Sequence, residues 1–413
     1  MRPQRGFFIY LKKLRIRSDH TLDQSQKSPK TFLVTGSTGF LGSHITTDLL
    51  SAGHRVIVLA RSRNGQSART RVLRLMNWFG LDESEYRELS IFEGDLLRPG
   101  LGLDFETLKL LDTQVEETVH CASDTSFSSR RRKQVEDTNV LGLQNLFATL
   151  EKSRMRRFHL ISTAYVAGRN KGLCREDFVY PSGFNNVYEE TKLLAEHMAA
   201  EKCARSNINL LIYRPSIVYG DSTTGRTLLF NALYYPIKTL RFFQKLYLKD
   251  ILESEGSKAE AIGVSLFEDG TLHLPVRIES TGSSRVNLIP VDHFIRAFMA
   301  IQEEKNQDGV FHIVNPENTA VQQLLEYTSR YFRLSGVRIA GTETFIKQPR
   351  NALELLFENY IRVYSSYMRD TRIFEHAKTT RFLASKNIRC PDFTYNVFST
   401  CMRYAEEVDW GRR

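Results

Sequence analysis

Tyr188 and Lys192 stand four positions apart in Tyr188-Glu189-Glu190-Thr191-Lys192. On a helix that spacing puts both side chains on one face, with a phenol beside an ammonium. A neighbouring cation lowers a phenol's pKa toward the range where it works as a proton donor. A bare tyrosine-lysine spacing is often a surface pair. It gains meaning when a hydroxyl sits at a strand end some way upstream, and Thr163, at the end of the apolar run from Phe158, supplies one. The chemistry such a trio supports is proton exchange with a carbonyl or hydroxyl oxygen.

Proton exchange of this kind needs a redox partner, and the stretch Thr31 to Leu50, TFLVTGSTGFLGSHITTDLL, points to one. An apolar run, Phe32-Leu33-Val34, is followed by Gly36, Gly39 and Gly42, and then by Ile45 and Leu49 one helical turn apart. A strand must turn sharply there into a helix whose N-terminal amides face a pyrophosphate. Gly36 permits the turn, Gly39 lets backbone approach phosphate, and Gly42 lets helix pack on strand. The next strand, Arg55 to Leu59, ends in Ala60-Arg61-Ser62-Arg63 where dinucleotide folds for NAD carry an acid. A guanidinium suits a 2′-phosphate instead, so the expected cofactor is NADPH. Arg69, Arg71 and Arg74 continue along a helix and read as surface charge. Asp95, at the end of the third strand, is placed to accept from an adenine amino group.

The elements that position these residues alternate. Strands at Val115 to Ala122, Phe158 to Ser162 and Leu210 to Tyr213 are separated by helical stretches such as Thr138 to Glu151, where Val140, Leu143, Phe147 and Leu150 form one apolar face. Such alternation predicts an α/β fold, a doubly wound parallel sheet covered on both faces. Residues 31–220 make the dinucleotide-binding domain, completed by 286–315, where strand-helix-strand alternation resumes. Residues 221–285 and 316–413 make a smaller, mainly helical substrate lobe, and 1–30 a basic tail. Within the lobe, Thr227 to Leu252 interleaves Phe230, Tyr234, Tyr235, Phe242, Phe243 and Tyr247 with Lys238, Arg241, Lys245 and Lys249. That stretch is either an ordinary covering helix or a greasy entrance for an acyl chain with basic edges.

Composition narrows the class. With 41% hydrophobic and 25% charged residues in 413, the chain is an ordinary globular protein long enough for two lobes. Five scattered cysteines without a C-x-x-C pair argue for a reducing, cytoplasmic setting and against a disulfide framework or zinc site. The ten histidines show no ligand spacing, so no metal is expected. The net charge of +10 favours anionic partners. No nucleic-acid motif accompanies it, which leaves phosphorylated cofactors, acyl carriers or an anionic membrane surface touched by the basic tail. No apolar run is long enough to span a bilayer.

Seven motifs, TGSTGFLG, GDL, VHCAS, NVLG, STAYVAG, YEETK and RPSIVYG, fall in the order and spacing of the extended short-chain dehydrogenase/reductases, which the chain resembles from Thr31 to Asn315. Within that superfamily, LARSRNGQSARTRVLRLMNWFGLD, GDLLRPGLGL, HLISTAYVAG, IYRPSIVYGDSTTG and VNLIPVDHF are most similar to thioester reductase domains and fatty acyl-CoA reductases. The resemblance implies Tyr188 as proton donor, Lys192 as the holder of ribose hydroxyls and tuner of Tyr188, Thr163 as the group that steadies the carbonyl oxygen, and Asn139 as a helix asparagine tied to proton relay. It implies a cofactor resting on Gly36, Ser37, Thr38, Gly39, Phe40, Leu41 and Gly42, on Arg61 and Arg63, on Asp95 and Leu96, and on Ala122 and Ser123. Pro215 and Ser216 would lie near its nicotinamide end.

The activity that the resemblance implies is NADPH-dependent reduction of acyl thioesters, yielding aldehyde or alcohol. Ala167-Gly168 departs from the Tyr-Gly that sugar-nucleotide enzymes of the superfamily show after the catalytic hydroxyl. No adenylation or carrier domain lies within these residues, so the expected substrate arrives on coenzyme A or on a separate acyl carrier protein. Two other readings stay open: an oxidoreductase for a ketone or hydroxyl on a lipid, sterol or nucleotide sugar, and a cofactor-binding scaffold without turnover. The trio Thr163, Tyr188 and Lys192 argues against the scaffold.

Overall fold

A computed structural model describes residues 28–280 and 282–411; the reading of the basic tail as a membrane-surface contact lies outside the described residues. Seven parallel strands form the central sheet: β1 (Thr31–Thr35), β2 (Arg55–Ala60), β3 (Leu89–Glu93), β4 (Glu117–His120), β5 (Arg157–Ile161), β6 (Asn209–Pro215) and β7 (Gly309–Ile313), in the order β7-β6-β5-β4-β1-β2-β3. The pleat sends alternate residues to opposite faces. Phe32 and Val34 of β1 join Val56 and Val58 of β2 in one core, while Leu33, Ile57 and Leu59 join the other. Helices α1 (Phe40–Ser51), α2 (Ala68–Phe79) and α6 (Val291–Glu303) cover the first face, as Ile45, Val72 and Phe298 show. On the second lie α3 (Phe105–Gln114), α4 (Arg132–Glu136, Asp137–Leu141 and Gly142–Thr149) and α5 (Val187–Arg205), through Leu111, Leu143 and Ala199. This is the expected doubly wound sheet. Its strand order reverses between β1 and β4, which opens a crevice at their carboxyl ends.

A second core gathers residues of 219–288, 321–361 and 393–410, including Leu240, Phe243, Val276, Leu325, Phe357 and Phe398. Its helices include Tyr234–Glu253, Val321–Phe332, Ala352–Ile361 and Tyr395–Glu407. One part of the expected lobe lies elsewhere. Helix Ala377–Ser385 packs on the central sheet: Leu383 joins its core, and Lys378 donates to the Val310 carbonyl at 3.1 Å. No helix among the described residues is long and apolar enough to cross a membrane.

Candidate active site

The glycine-rich turn, Arg61, Arg63, Asp95, Ala122, Ser123, Thr163, Pro215 and Ser216 sit at or just beyond the carboxyl ends of strands, while Asn139, Tyr188 and Lys192 come from helices. Gly36 follows β1 with φ +74°, and a Cβ there would meet the Ala122 amide nitrogen at 2.5 Å. A Cβ on Gly42 would meet the Gly36 carbonyl at 2.3 Å, so helix, turn and the loop after β4 close together only without side chains. Gly39 is the N-cap of α1 and offers no side-chain cap, which leaves the first-turn amides for a ligand. Ser37 is buried and its Oγ has no hydrogen-bond partner. A glycine cradle, an uncapped helix start and an orphaned hydroxyl fit the pyrophosphate of a dinucleotide.

A polar cleft of about 760 Å³ continues outward and is lined by Arg61, Arg63, Asp95, Arg98, Ser123 and Arg131, among others. Arg61 lies 3.8 Å from Asp95. The missed residue here is Arg71. Expected on the surface, it turns back to donate to the Arg61 carbonyl at 2.5 Å and to the Thr38 hydroxyl at 3.0 Å, tying α2 to the glycine-rich turn. Burial, together with Arg63 and Arg61, pulls its pKa down, as expected for cations crowded around a place for an anion. The available signal was its place in the first turn after Ser67, whose hydroxyl caps α2 and so fixes which way that turn faces. Leu96 turns inward from this cleft: it stacks over Gly142, and its carbonyl accepts from Asn145 at 2.7 Å.

The inner cavity, about 560 Å³, begins at Gly39, Phe40 and Leu41, passes Thr163, Tyr188, Lys192, Pro215 and Ser216, and runs into the second lobe between Leu240, Leu325, Thr328 and Phe357. Thr163 accepts from the Tyr165 amide at 3.3 Å and donates to the Pro215 carbonyl at 3.5 Å. Asn186 caps α5, accepting from the Glu189 amide at 3.0 Å, and so aims Tyr188 and Lys192 from the first turns. The electrostatics differ from the sequence expectation. Tyr188 is held above the ordinary phenol range by burial, then by Cys121 and Glu189, with the neighbouring Thr163 hydroxyl pulling the other way. Lys192 does not offset this. Its Nζ donates to the Ile161 carbonyl at 2.5 Å, and burial draws it down to about 8. Loss of hydration outweighs proximity.

Asn139 sits in the π-helical turn Asp137–Leu141, buried outside the cavity wall. Its Oδ1 accepts from the Asp124 amide at 2.7 Å and the Ser123 hydroxyl at 3.1 Å, while its Nδ2 donates to the Asp124 carbonyl and to Thr191 Oγ1 at 2.9 Å. Both ends of the amide are engaged in joining the loop after β4 to α5, next to Lys192. Beneath the trio lies a second missed pair, Glu196 and Arg214, both buried. Arg214 donates to Glu196 from Nε at 2.9 Å and Nη2 at 2.6 Å, and Ser162 Oγ donates to Glu196 at 2.5 Å.

The cavity wall from helix Tyr234–Glu253 is aliphatic rather than aromatic. It presents Pro236, Ile237 and Leu240, at helical spacing, whereas Tyr234, Phe243 and Tyr247 are buried in the lobe's core. Aromatic lining comes instead from Phe127, Tyr364 and Tyr367, whose rings meet at 5.6 and 5.5 Å from Phe127. Tyr367 donates to Glu189 at 2.7 Å across 178 positions of chain. Arg241 is held by Glu406 at 2.7 Å and Gln244, so it pins two helices rather than edging an entrance. In the run Arg130-Arg131-Arg132-Lys133, Arg131 lines the polar cleft and pairs with Asp124 at 2.8 Å, Arg132 pairs with Glu136 and Glu190, and Lys133 with Asp137.

A family model described as male sterility protein, an NAD-binding domain, matches residues 34–298. The chain is 31% identical over 209 residues to the NRPS-like oxidoreductase fscA of Fusarium equiseti, covering 47% of this chain and 18% of that protein. It is 26% identical over 226 residues to fatty acyl-CoA reductase 1 of Mus musculus, covering 46% of this chain and 43% of the relative. This chain thus spans less than half the length of either relative. Among solved structures, the terminal R domain of the myxalamid PKS-NRPS pathway superposes with a TM-score of 0.73 at 20% identity, covering 93% of this chain and 92% of that one. At that identity the likeness speaks for the fold.

Proposed function

The chain belongs to the NAD-binding male sterility protein family, and from that premise we propose that it is an NADPH-dependent reductase of acyl thioesters. One observation carries the reading: the cavity holding Thr163, Tyr188 and Lys192 continues from them into a largely aliphatic channel through Leu233, Ile237, Leu240, Val321 and Leu325. Apolar burial of an alkyl chain contributes about 0.8 kcal/mol per methylene, whereas sugar hydroxyls placed there would lose water without gaining partners.

The polar cleft and glycine cradle would hold the adenosine and pyrophosphate, with Arg61, Arg63 and Arg71 toward the 2′-phosphate and Ser216, whose buried Oγ is unpartnered, toward the nicotinamide. NADPH, when bound, supplies hydride. Thr163 and Tyr188 then hold the thioester oxygen, and Tyr188 gives it a proton. The resulting hemithioacetal releases the thiol and leaves an aldehyde. Lys192 orients Tyr188 and the ribose, and Asn139 holds the loop and helix between which they sit.

NADPH is expected to bind more tightly than NADH by about 2 kcal/mol, the scale of one charge-assisted hydrogen bond to phosphate. Arg61→Ala or Arg71→Ala should remove most of that preference in titration calorimetry, and equal dissociation constants in the unaltered protein would refute it. For the substrate, NADPH oxidation is to be measured against acyl-CoAs, carrier-bound acyl groups, ketones and nucleotide sugars. Thioesters are expected to be consumed, with catalytic efficiency rising with acyl length. Turnover of a lipid ketone or sterol alone would transfer the same catalytic trio to the alternative substrate.

A further inference from the structure

We propose that Ile278, Phe357 and Met368 form a floor that sets the longest acyl chain this protein accepts. The inference rests on the thioester reading and adds the residues that decide chain length. These three side chains line the inner cavity on one side. On the other they line a separate space of about 30 Å³, closed by Ile361 and Ser365 and by the charged residues Arg277, Glu279, Arg350, Glu354, Glu358 and Arg369. They are therefore a partition, one side chain thick, between an aliphatic channel and a set of ion pairs.

The partition is held from behind. Phe357 lies on helix Ala352–Ile361, whose N-terminus is fixed by a reciprocal cap between Asn351 and Glu354. Glu354 also accepts from Arg277 Nε at 2.6 Å and Nη2 at 2.8 Å, and Arg277 precedes Ile278. Glu279, the residue after Ile278, accepts from Arg350 at 2.5 Å and from Arg369 at 2.9 Å, and Arg369 adjoins Met368. Each floor residue is thus one to three positions from a member of one of these two ion-pair groups. Ile278 and Phe357 are buried. A chain that reached beyond them would have to enter a space of only about 30 Å³, with Ile361 as its remaining apolar wall and paired charges around it that resist rearrangement.

Catalytic efficiency should therefore rise about fourfold per added methylene, the equivalent of burying one CH₂, and then break at one length. Steady-state kinetics on saturated acyl-CoAs of increasing length locate that break. Phe357→Ala joins the two spaces and is expected to move the break to longer chains. Phe357→Leu should move it less and in the same direction, and serves if the alanine variant loses its circular dichroism or its NADPH binding. Thr328→Phe, which fills the channel short of its end, is expected to move the break to shorter chains. A break that stays put in folded Phe357 variants overturns the floor while leaving thioester reduction standing. If the unaltered protein reduces no acyl thioester of any length, the functional reading fails and the floor falls with it.

Discussion

Tyr188→Phe is expected to cut turnover of an acyl thioester by about 100-fold or more while leaving NADPH affinity nearly unchanged, because general acid catalysis of this kind contributes on that scale. Lys192→Ala should damage both, since Lys192 is assigned to the ribose as well as to Tyr188. The pH profile gives an independent readout. Burial holds Tyr188 above its ordinary value, so the phenol stays protonated, as a donor must, across and beyond the neutral range. Lys192 is the group that titrates first. Drawn from 10.5 down to about 8, it is charged below that pH and neutral above it. The efficiency of thioester reduction is therefore expected to fall as pH rises through about 8, the side on which the ammonium is lost. Normal turnover by Tyr188→Phe on a verified substrate, or a profile flat to about pH 10, would remove Tyr188 or Lys192 from the roles given them.

The sheet was legible because two periods are hard to mistake. Apolar runs such as Phe32-Leu33-Val34 bury both faces of a parallel strand, and the helices between them repeat at 3.6 residues. The turn chemistry was legible for a similar reason: Gly36 is required by a positive φ, and Gly42 by a carbonyl that leaves no room for a Cβ. What escaped depends on contacts between residues remote in sequence. Nothing near Tyr367 says that its hydroxyl reaches Glu189. Aromatic content in Tyr234–Glu253 suggested the slot, but a helix shows several faces, and composition does not say which one meets a cavity; here the aliphatic face does. Arg241 looked free because Glu406 lies 165 positions away. The phenol's pKa was misjudged because a sequence shows the neighbouring ammonium but not the burial that outweighs it. One signal went unused: Tyr188, Lys192 and Glu196 continue the same four-residue step, so a carboxylate was due on the catalytic face one turn on.

That carboxylate leads to the second large effect. Glu196 binds Arg214 through two hydrogen bonds and Ser162 through a third, all buried. Ser162 adjoins Thr163, Arg214 adjoins Pro215 and Ser216, and Glu196 lies one turn beyond Lys192, so one ion pair joins the three segments that carry the site. Arg214 has further partners in the Asp177 carbonyl at 2.7 Å and His312 at 3.2 Å, which fix it when Glu196 is removed. Glu196→Ala is therefore expected to strand a buried guanidinium and cost about 3–5 kcal/mol of stability, measured by chemical denaturation. Replacing both partners by apolar residues, Glu196→Leu with Arg214→Met, leaves no uncompensated charge and should cost much less than the two single changes summed. The double variant should still lose turnover, since Ser162 and its neighbour Thr163 are no longer anchored to α5. A loss below about 1 kcal/mol for Glu196→Ala would mean that water reaches the stranded guanidinium and that the pair does not bind these segments together.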